Sequence, residues 1–290
     1  MRRAVLRGFD WAGMKLSVEV PEGIDPERDW VLPDGLVPLP DTDFEADLQI
    51  GFDGRSDSPL AGEGDTWFHE GDVFESGRLG SSHWLRRPED GRVALADASF
   101  RFVNVCVPSE ACDAGFPLAH PLDDLILIHR ALQQGAFALR ATAVIEEGKA
   151  LVVMGDAQYE QAARSAACWK GWLLLRSTRT GIRVAPLPST LRSGRVGQNG
   201  RTAELSGLHV IDPMSCEGDV VRVLDADSAA AELLRYAFSP IASDEGERLV
   251  ETATALASRV PVVQLMSAGC DRFAWQSESS MLRAVLPAGA

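Results

Sequence analysis

The stretch that decides the fold is residues 135–154, GAFALRATAVIEEGKALVVM, which is followed directly by Gly155. Residues 139–145 and 150–154 are apolar runs with β-branched members, and such runs predict two short strands. Glu147 and Gly148 stand between them, where a tight turn is needed to reverse the chain. The stretch therefore predicts a β-hairpin whose second strand ends on a glycine.

The segments on either side of this hairpin alternate between helical and extended patterns. Apolar residues recur every three or four positions from residue 121 to 134, with Asp123 and Asp124 in the first turn and Gly135 at the end. This pattern predicts a helix, and its paired acids are interpreted as first-turn charges that favour the helix N-terminus. After Gly155 the pattern predicts a helix over 157–168 and a strand over 172–175.

The two ends of the chain differ in their predicted structure. The front portion, up to about residue 117, favours β structure, with strands predicted at 16–20 and 99–107. The last third predicts a strand at 219–224, a helix capped by Asp227 or Ser228 that runs to Tyr236, a helix at 245–258 and a strand at 261–265. A chain that changes from strand-rich to alternating elements suggests two portions.

Composition excludes several functional classes. The 290 residues are 46% hydrophobic and carry a formal net charge of −14, which disfavours nucleic acid as a partner. The apolar runs are too short to span a bilayer, so no membrane association is expected. Asp10 and Trp11 interrupt the arginine-rich start before an apolar stretch develops, which argues against a signal peptide and favours a cytoplasmic location. The five cysteines lack metal-ligand spacing, so neither a metal nor a cofactor is expected.

The order strand, turn, strand, glycine, helix, strand is the layout of a phosphate-binding loop. Together with the helix at 121–134 and the segment VPVVQL at 260–265, it resembles the C-terminal domain of HPr kinase/phosphorylase and the HPr-kinase-like proteins of bacterial gene clusters. The resemblance extends from about residue 121 to 265. It implies a mixed α/β fold, with an HPr-kinase/PEP-carboxykinase-like core in residues 119–290 and a β-rich N-terminal portion in residues 1–118.

The chain departs from this family at three places that its chemistry requires. Family members carry Leu-His-Ala-Ser before the hairpin, and here the histidine position is Arg140. Their Walker-type loop ends in Gly-Lys-Ser or Gly-Lys-Thr, whereas the lysine and hydroxyl positions here are Gln161 and Ala162. Their next strand ends in an acidic pair, but no carboxylate occurs between Glu160 and Glu204. Phosphoryl transfer depends on positioning and charge stabilisation, so the loss of all three elements predicts a pseudokinase.

The sequence leaves open whether the chain is an enzyme and favours the view that it is not. One hypothesis is a catalytically inactive HPr-kinase-like subunit that binds a protein or an active paralogue, for instance in a biosynthetic gene cluster. A second is an enzyme or sensor that binds a nucleotide or a phosphorylated ligand in a remodelled pocket. A third is a structural role in a homo- or hetero-oligomer, because HPr kinases resemble ring-forming assemblies.

Two groups of candidate site residues follow from these hypotheses. The window from residue 161 to 203 contains eight bases and no acid, so its arginines form a candidate partner surface, with a plain solvated surface as the alternative. The degenerate loop and its neighbouring bases form the candidate ligand site. The loop group consists of Gly155, Asp156, Gln158, Gln161, Arg140 and Arg164, and the partner group consists of Arg176, Arg179, Arg183, Arg192 and Arg195.

Overall fold

The fold is taken from a computed structural model, which describes residues 4–21, 35–40, 44–53, 65–69, 72–107, 120–155, 167–188, 190, 202–212, 220–238 and 243–266. It is a mixed, strand-rich α/β fold with two sheets and three helices among these residues. The chain divides into two compact units. The first comprises Met1–Ala136 with Leu187–Arg192 and Pro240–Glu245, and the second comprises Phe137–Pro186, Ser193–Ser239 and Gly246–Ala290.

The first unit contains a nine-stranded sheet in the order β3-β1-β2-β4-β9-β8-β7-β6-β5. The pairs β2–β4 and β4–β9 are parallel, and the other neighbouring pairs are antiparallel. The β-rich character expected for the front portion is thus confirmed. The strands are β1 (Ala4–Trp11), β2 (Met14–Pro21), β3 (Val37–Pro38), β4 (Leu48–Asp53), β5 (Asp65–His69), β6 (Asp72–Leu79), β7 (Ser82–Arg86), β8 (Val93–Ala96) and β9 (Phe102–Cys106).

The helix α1 (Leu122–Gln133) packs on one face of this sheet and confirms the predicted helix at 121–134. His129 of α1 stacks on Phe100 at 4.5 Å between ring centroids, and Phe100 stacks on His83 of β7 at 5.2 Å. Arg130 donates to the backbone oxygens of Asp47 and Ser99 at 2.6 and 3.1 Å. Aromatic packing and hydrogen bonds to loop carbonyls therefore fix the helix on the sheet.

The strand predicted at 99–107 begins later than expected, at Phe102. The carboxylate of Asp97 accepts hydrogen bonds from the Phe102 amide at 2.7 Å and from Ser99, and these bonds close a turn. Such bonds from a side chain to the nearby backbone compete with strand pairing. The turn places Phe100 in the left-handed region, at φ 51°, with its ring fully buried against the two histidines.

The second unit contains a seven-stranded sheet in the order β11-β10-β12-β13-β14-β16-β15, and β11 also pairs with β14. The pairings of β10, β11, β14, β13 and β12 close into a ring. Its strands are β10 (Phe137–Glu146), β11 (Lys149–Met154), β12 (Ala167–Ser177), β13 (Ile182–Pro186), β14 (Ala203–Asp212), β15 (Val220–Val223) and β16 (Val262–Met266), and its helices are α2 (Ala226–Arg235) and α3 (Ser243–Arg259), the latter beginning in the first unit.

The predicted hairpin is confirmed, since β10 and β11 pair antiparallel around Glu147 and Gly148, which both have positive φ. The helix predicted over 157–168 lies outside the described residues up to 166. Its last two residues were predicted wrongly, because Ala167 and Cys168 begin β12 and pair with Ile145 and Val144 of β10. Pairing with a strand distant in sequence overrides the helix preference of alanine there.

The helices and strands predicted for the last third are present, with one correction at a cap. The N-cap of α2 is Asp225, which accepts a hydrogen bond from the Ser228 amide at 2.8 Å. The predicted caps Asp227 and Ser228 are the second and third residues of the helix. In the described part of the chain, no helix is long and apolar enough to cross a bilayer. The predicted domain boundary after residue 118 stays a prediction. The first compact unit continues past that residue and includes α1.

Candidate functional site

The strand that leads to the candidate loop lies in a parallel arrangement. β11 pairs parallel with β14, and β14 pairs parallel with β16, so the carboxyl ends of these three strands lie at one edge. Ligands of α/β sheets bind outside the carboxyl ends of parallel strands. Gly155 therefore stands at the carboxyl edge of these parallel strands, at the end of β11.

Gly155 is a glycine for steric reasons. Its φ is +132°, and a Cβ atom added there would lie 2.7 Å from the backbone oxygen of Ile211 and 3.1 Å from the Ile211 Cβ. The chain thus passes against β14 too closely for any side chain, as a turn that leads from a strand into a loop often does. This explains the glycine at position 155 without any bound phosphate.

Arg140 is the one other member of the loop group within the described residues. Arg140 precedes by two residues the stretch of β10 that pairs with β11, and on its other side it pairs with Trp172 of β12. Its side chain is exposed, and its backbone amide donates to the Tyr236 oxygen at 2.8 Å. On the side of β10 away from β12, the backbone neighbour of Arg140 is therefore Tyr236 and not Gly155. Asp156, Gln158, Gln161 and Arg164 lie outside the described residues.

The partner group is partly assembled on the hairpin formed by β12 and β13, which we call the basic hairpin. Arg176 and Arg183 are directly paired across the two strands. Arg179 is exposed in the connecting turn, where Thr178 accepts from the Gly181 amide and donates to its carbonyl. Arg192 and Arg195 lie outside the described residues. Three of the five predicted arginines are thus close together in the fold.

The basic hairpin is less uniformly basic than its sequence window indicates. Arg183 pairs with Glu204 of β14 on its other side, and Glu204 also pairs with Lys149 of β11. A Cβ atom at Gly181 would lie 3.5 Å from a carboxylate oxygen of Glu204, so this acid reaches the turn. A carboxylate just beyond the acid-free window is therefore placed among its arginines.

A further base near the hairpin comes from a distant helix. Arg259, in the last turn of α3, donates to the Ser177 hydroxyl at 2.9 Å. Ser177 follows Arg176 on β12, and successive strand residues point to opposite faces of a sheet. The helix thus adds a guanidinium on the face opposite Arg176. A separation of 82 residues hides this contact from any local pattern.

The first unit holds a group of potential metal ligands that the sequence reasoning interpreted as helix-start charges. Asp123 and Asp124 are 1% and 0% exposed, and His120 Nδ1 lies 3.5 Å from Asp123 Oδ1 and 3.7 Å from Asp124 Oδ2. In the part of the chain that the structure describes, these three side chains are the group close enough to share an ion. Spacing at i, i+3 and i+4 could have indicated the group, but a histidine just before a helix is not itself distinctive.

Burial affects one histidine in the second unit. His209 on β14 is 6% exposed, between Val153 and Val263 on the neighbouring strands. Desolvation lowers its pKa below 6.5, because the apolar surroundings disfavour the imidazolium. The side chain is therefore neutral at pH 7 and belongs to the core of the parallel strands.

No protein-family model matches the chain, and no curated protein matches it in sequence.

Proposed function

We propose that this chain is a catalytically inactive HPr-kinase-like protein that acts as a protein-binding or regulatory subunit. Its basic hairpin contacts an acidic segment of the partner. The observation that carries this proposal is the direct pairing of Arg176 with Arg183, with Arg179 in the adjoining turn. Three guanidinium groups on one hairpin present positive charge that complements an acidic segment of a partner.

The HPr-kinase-like part of the proposal rests on a backbone layout and on absent chemistry. The β10–β11 hairpin leads to Gly155 at the carboxyl edge of parallel strands, which is one part of the layout of a phosphate-binding loop. The lysine and hydroxyl positions of the resembling family are Gln161 and Ala162 in this sequence. Loss of one such electrostatic group typically costs about 2.7–4 kcal/mol of transition-state stabilisation, which supports an inactive member.

The acidic-partner proposal is tested with a labelled poly-glutamate peptide as the probe. Fluorescence anisotropy should show binding that weakens as salt is raised, because exposed charges are screened within about 10 Å at 0.1 M ionic strength. Arg179→Glu combined with Arg183→Glu should weaken binding roughly tenfold, since an exposed ion pair contributes up to about 1 kcal/mol.

The matched control is Arg7→Glu combined with Arg78→Glu, which reverses two exposed arginines on β1 and β6 of the other unit. It changes the net charge by the same amount, so it reports the general effect of charge. Equal losses for the hairpin variant and this control would reduce the interaction to net charge. Binding that is insensitive to salt would refute the proposed contact surface.

A second candidate function, binding of a phosphorylated ligand or nucleotide, is favoured by Arg140, an exposed base on β10 two residues before that strand begins to pair with β11. An exposed guanidinium supplies the positive charge that a phosphate group requires. Thermal unfolding with ATP, GTP or pyrophosphate, each with Mg²⁺, tests it. A ligand at 100 times its dissociation constant should add about 2.7 kcal/mol of stability. Arg140→Gln should remove that gain, and its persistence in the variant would refute the role of Arg140.

A further inference from the structure

The nine-stranded sheet of the first unit has one apolar face and one face that carries polar residues. The row Val18, Ile50, Val103, Ala96 and His83 runs in register across five strands, and every member is at most 3% exposed. This is the face that packs under α1 through the stacked His83, Phe100 and His129 rings. The neighbouring residue on each strand points to the other face.

The row of residues on that other face has an apolar side chain at each end and polar side chains in the middle. Leu6 pairs with Glu19, Gly51 pairs with Asn104, and Asn104 pairs with Leu95, while the register of β2 and β4 sets Glu19 beside Gly51. A pocket of about 390 Å³ lies over this row. Its volume is in the range of small-molecule sites, and its walls combine aliphatic side chains with a few polar groups.

Gly51 forms the floor of this pocket. A Cβ atom added there would lie 3.1 Å from Asn104 Oδ1 and 3.5 Å from Glu19 Oε2. Two oxygen acceptors from different strands therefore converge on the place that a side chain would fill. Gln49 and Ser17, paired with each other one row along, add a carboxamide and a hydroxyl to the lining.

The charge of the residues that line the pocket favours a cationic ligand. Among its described residues the pocket has the carboxylates of Glu19 and Asp97 and no cationic side chain. The Asp97 carboxylate already accepts from Ser99 and Phe102, so the charge directed at a ligand is that of Glu19. Lys15 stands two residues before Ser17 on β2, but its ammonium nitrogen lies over the Phe44 ring, 5.8 Å from the centroid.

We infer that the pocket over Gly51 binds an aliphatic primary amine in its ammonium form. The ammonium group donates to Glu19 and Asn104, which together present a charged and a neutral acceptor oxygen. Its hydrocarbon chain packs on Leu6 or Leu95 at either end of the row. An anionic ligand is disfavoured here by Glu19, and a neutral alcohol lacks the charge-assisted bonds.

Three probes of equal size test the inference on the full chain by calorimetric or NMR titration: butylammonium, butanol and butyrate. Butylammonium should bind, and butanol and butyrate should bind more weakly. Glu19→Gln keeps the shape of the side chain and removes its charge, so it should weaken butylammonium roughly ten- to a hundredfold, as a charge-assisted hydrogen bond does. The matched control Glu251→Gln, on an exposed position of α3, should leave the affinity unchanged.

A second variant tests the shape of the pocket independently of its charge. Gly51→Val fills the floor and should abolish binding of butylammonium, while circular dichroism reports whether the sheet is retained. The ammonium group could belong to a free amine or to a lysine side chain of another protein. Nα-acetyl-lysine N-methylamide distinguishes the two, since tighter binding than butylammonium identifies a lysine side chain and weaker binding identifies a free amine. The inference is overturned if butylammonium fails to bind, if butanol binds as tightly, or if Glu19→Gln has no effect.

Discussion

Replacing Gly155 by alanine should destabilise the second unit substantially. A side chain at φ +132° is strained by on the order of 1–3 kcal/mol, because that backbone region is nearly exclusive to glycine. The added Cβ would also lie 2.7 Å from the Ile211 backbone oxygen, and a contact of this kind with β14 costs about 1–3 kcal/mol more. The two terms together predict a loss of about 4 kcal/mol in the free energy of unfolding.

Thermal unfolding followed by far-UV circular dichroism measures this loss. For a unit of this size, 1 kcal/mol lowers Tm by roughly 2–4 °C, so Gly155→Ala should lower the transition of the second unit by roughly 8–16 °C. Urea unfolding should give the same ordering through a lower midpoint with an unchanged slope.

Gly148→Ala is the matched control in the same unit. Gly148 has φ +79°, and an added Cβ would meet no atom within 4 Å, so its cost is the conformational strain alone, about 1–2 kcal/mol. The difference between the two variants isolates the contact with Ile211. If Gly155→Ala unfolds at the same temperature as Gly148→Ala, the close approach of β11 to β14 is refuted.

Two further predictions concern pH. Burial alone would raise the pKa of Asp97, but hydrogen bonds from the Ser99 hydroxyl and the Phe102 and Ser99 amides together lower it below 3.8. The stability that Asp97 contributes is therefore complete above pH 3.8, and it is lost as the pH falls through the lower pKa of the folded state. Urea unfolding at pH 7 and pH 3 should show Asp97→Asn to be destabilised at pH 7 and closer to the unmodified chain at pH 3, and an equal deficit at both values would contradict the turn. Burial lowers the pKa of His209 below 6.5, so the unfolded chain binds its proton first and stability falls as the pH drops from 6.5. His209→Gln should lose less stability than the unmodified chain between pH 7 and pH 5, and parallel losses would mean that His209 is protonated in the folded state.

Local sequence patterns predicted the elements whose formation depends on neighbouring residues. The hairpin around Glu147 and Gly148 follows from a turn pair between two apolar runs, and the structure has both strands. Helix α1 follows from apolar spacing of three and four with a glycine at its end. The predicted N-cap of α2 was wrong because Asp225, Asp227 and Ser228 all suit that position, and only the backbone path selects Asp225.

The distribution of charge along the sequence predicted the basic surface only in part. The acid-free window predicted a basic surface, and Arg176, Arg179 and Arg183 do lie on one hairpin. Strand pairing then sets Glu204, just beyond that window, beside Arg183. Sequence distance says nothing about which side chains a sheet makes neighbours, because the register is decided by pairing between strands far apart along the chain.

The sequence by itself determined that a helix ends at Gly135 and that a hairpin follows and ends at Gly155, because each of these features depends on residues within one turn or two short strands. Only the tertiary structure decided what that glycine is for, since the contact between Gly155 and Ile211 joins residues on two parallel strands. The same holds for the pocket over Gly51, whose acceptors Glu19 and Asn104 come from strands on either side of it. Parallel strands cannot be joined by a tight turn, so their neighbours are always remote in sequence and no local pattern reveals them.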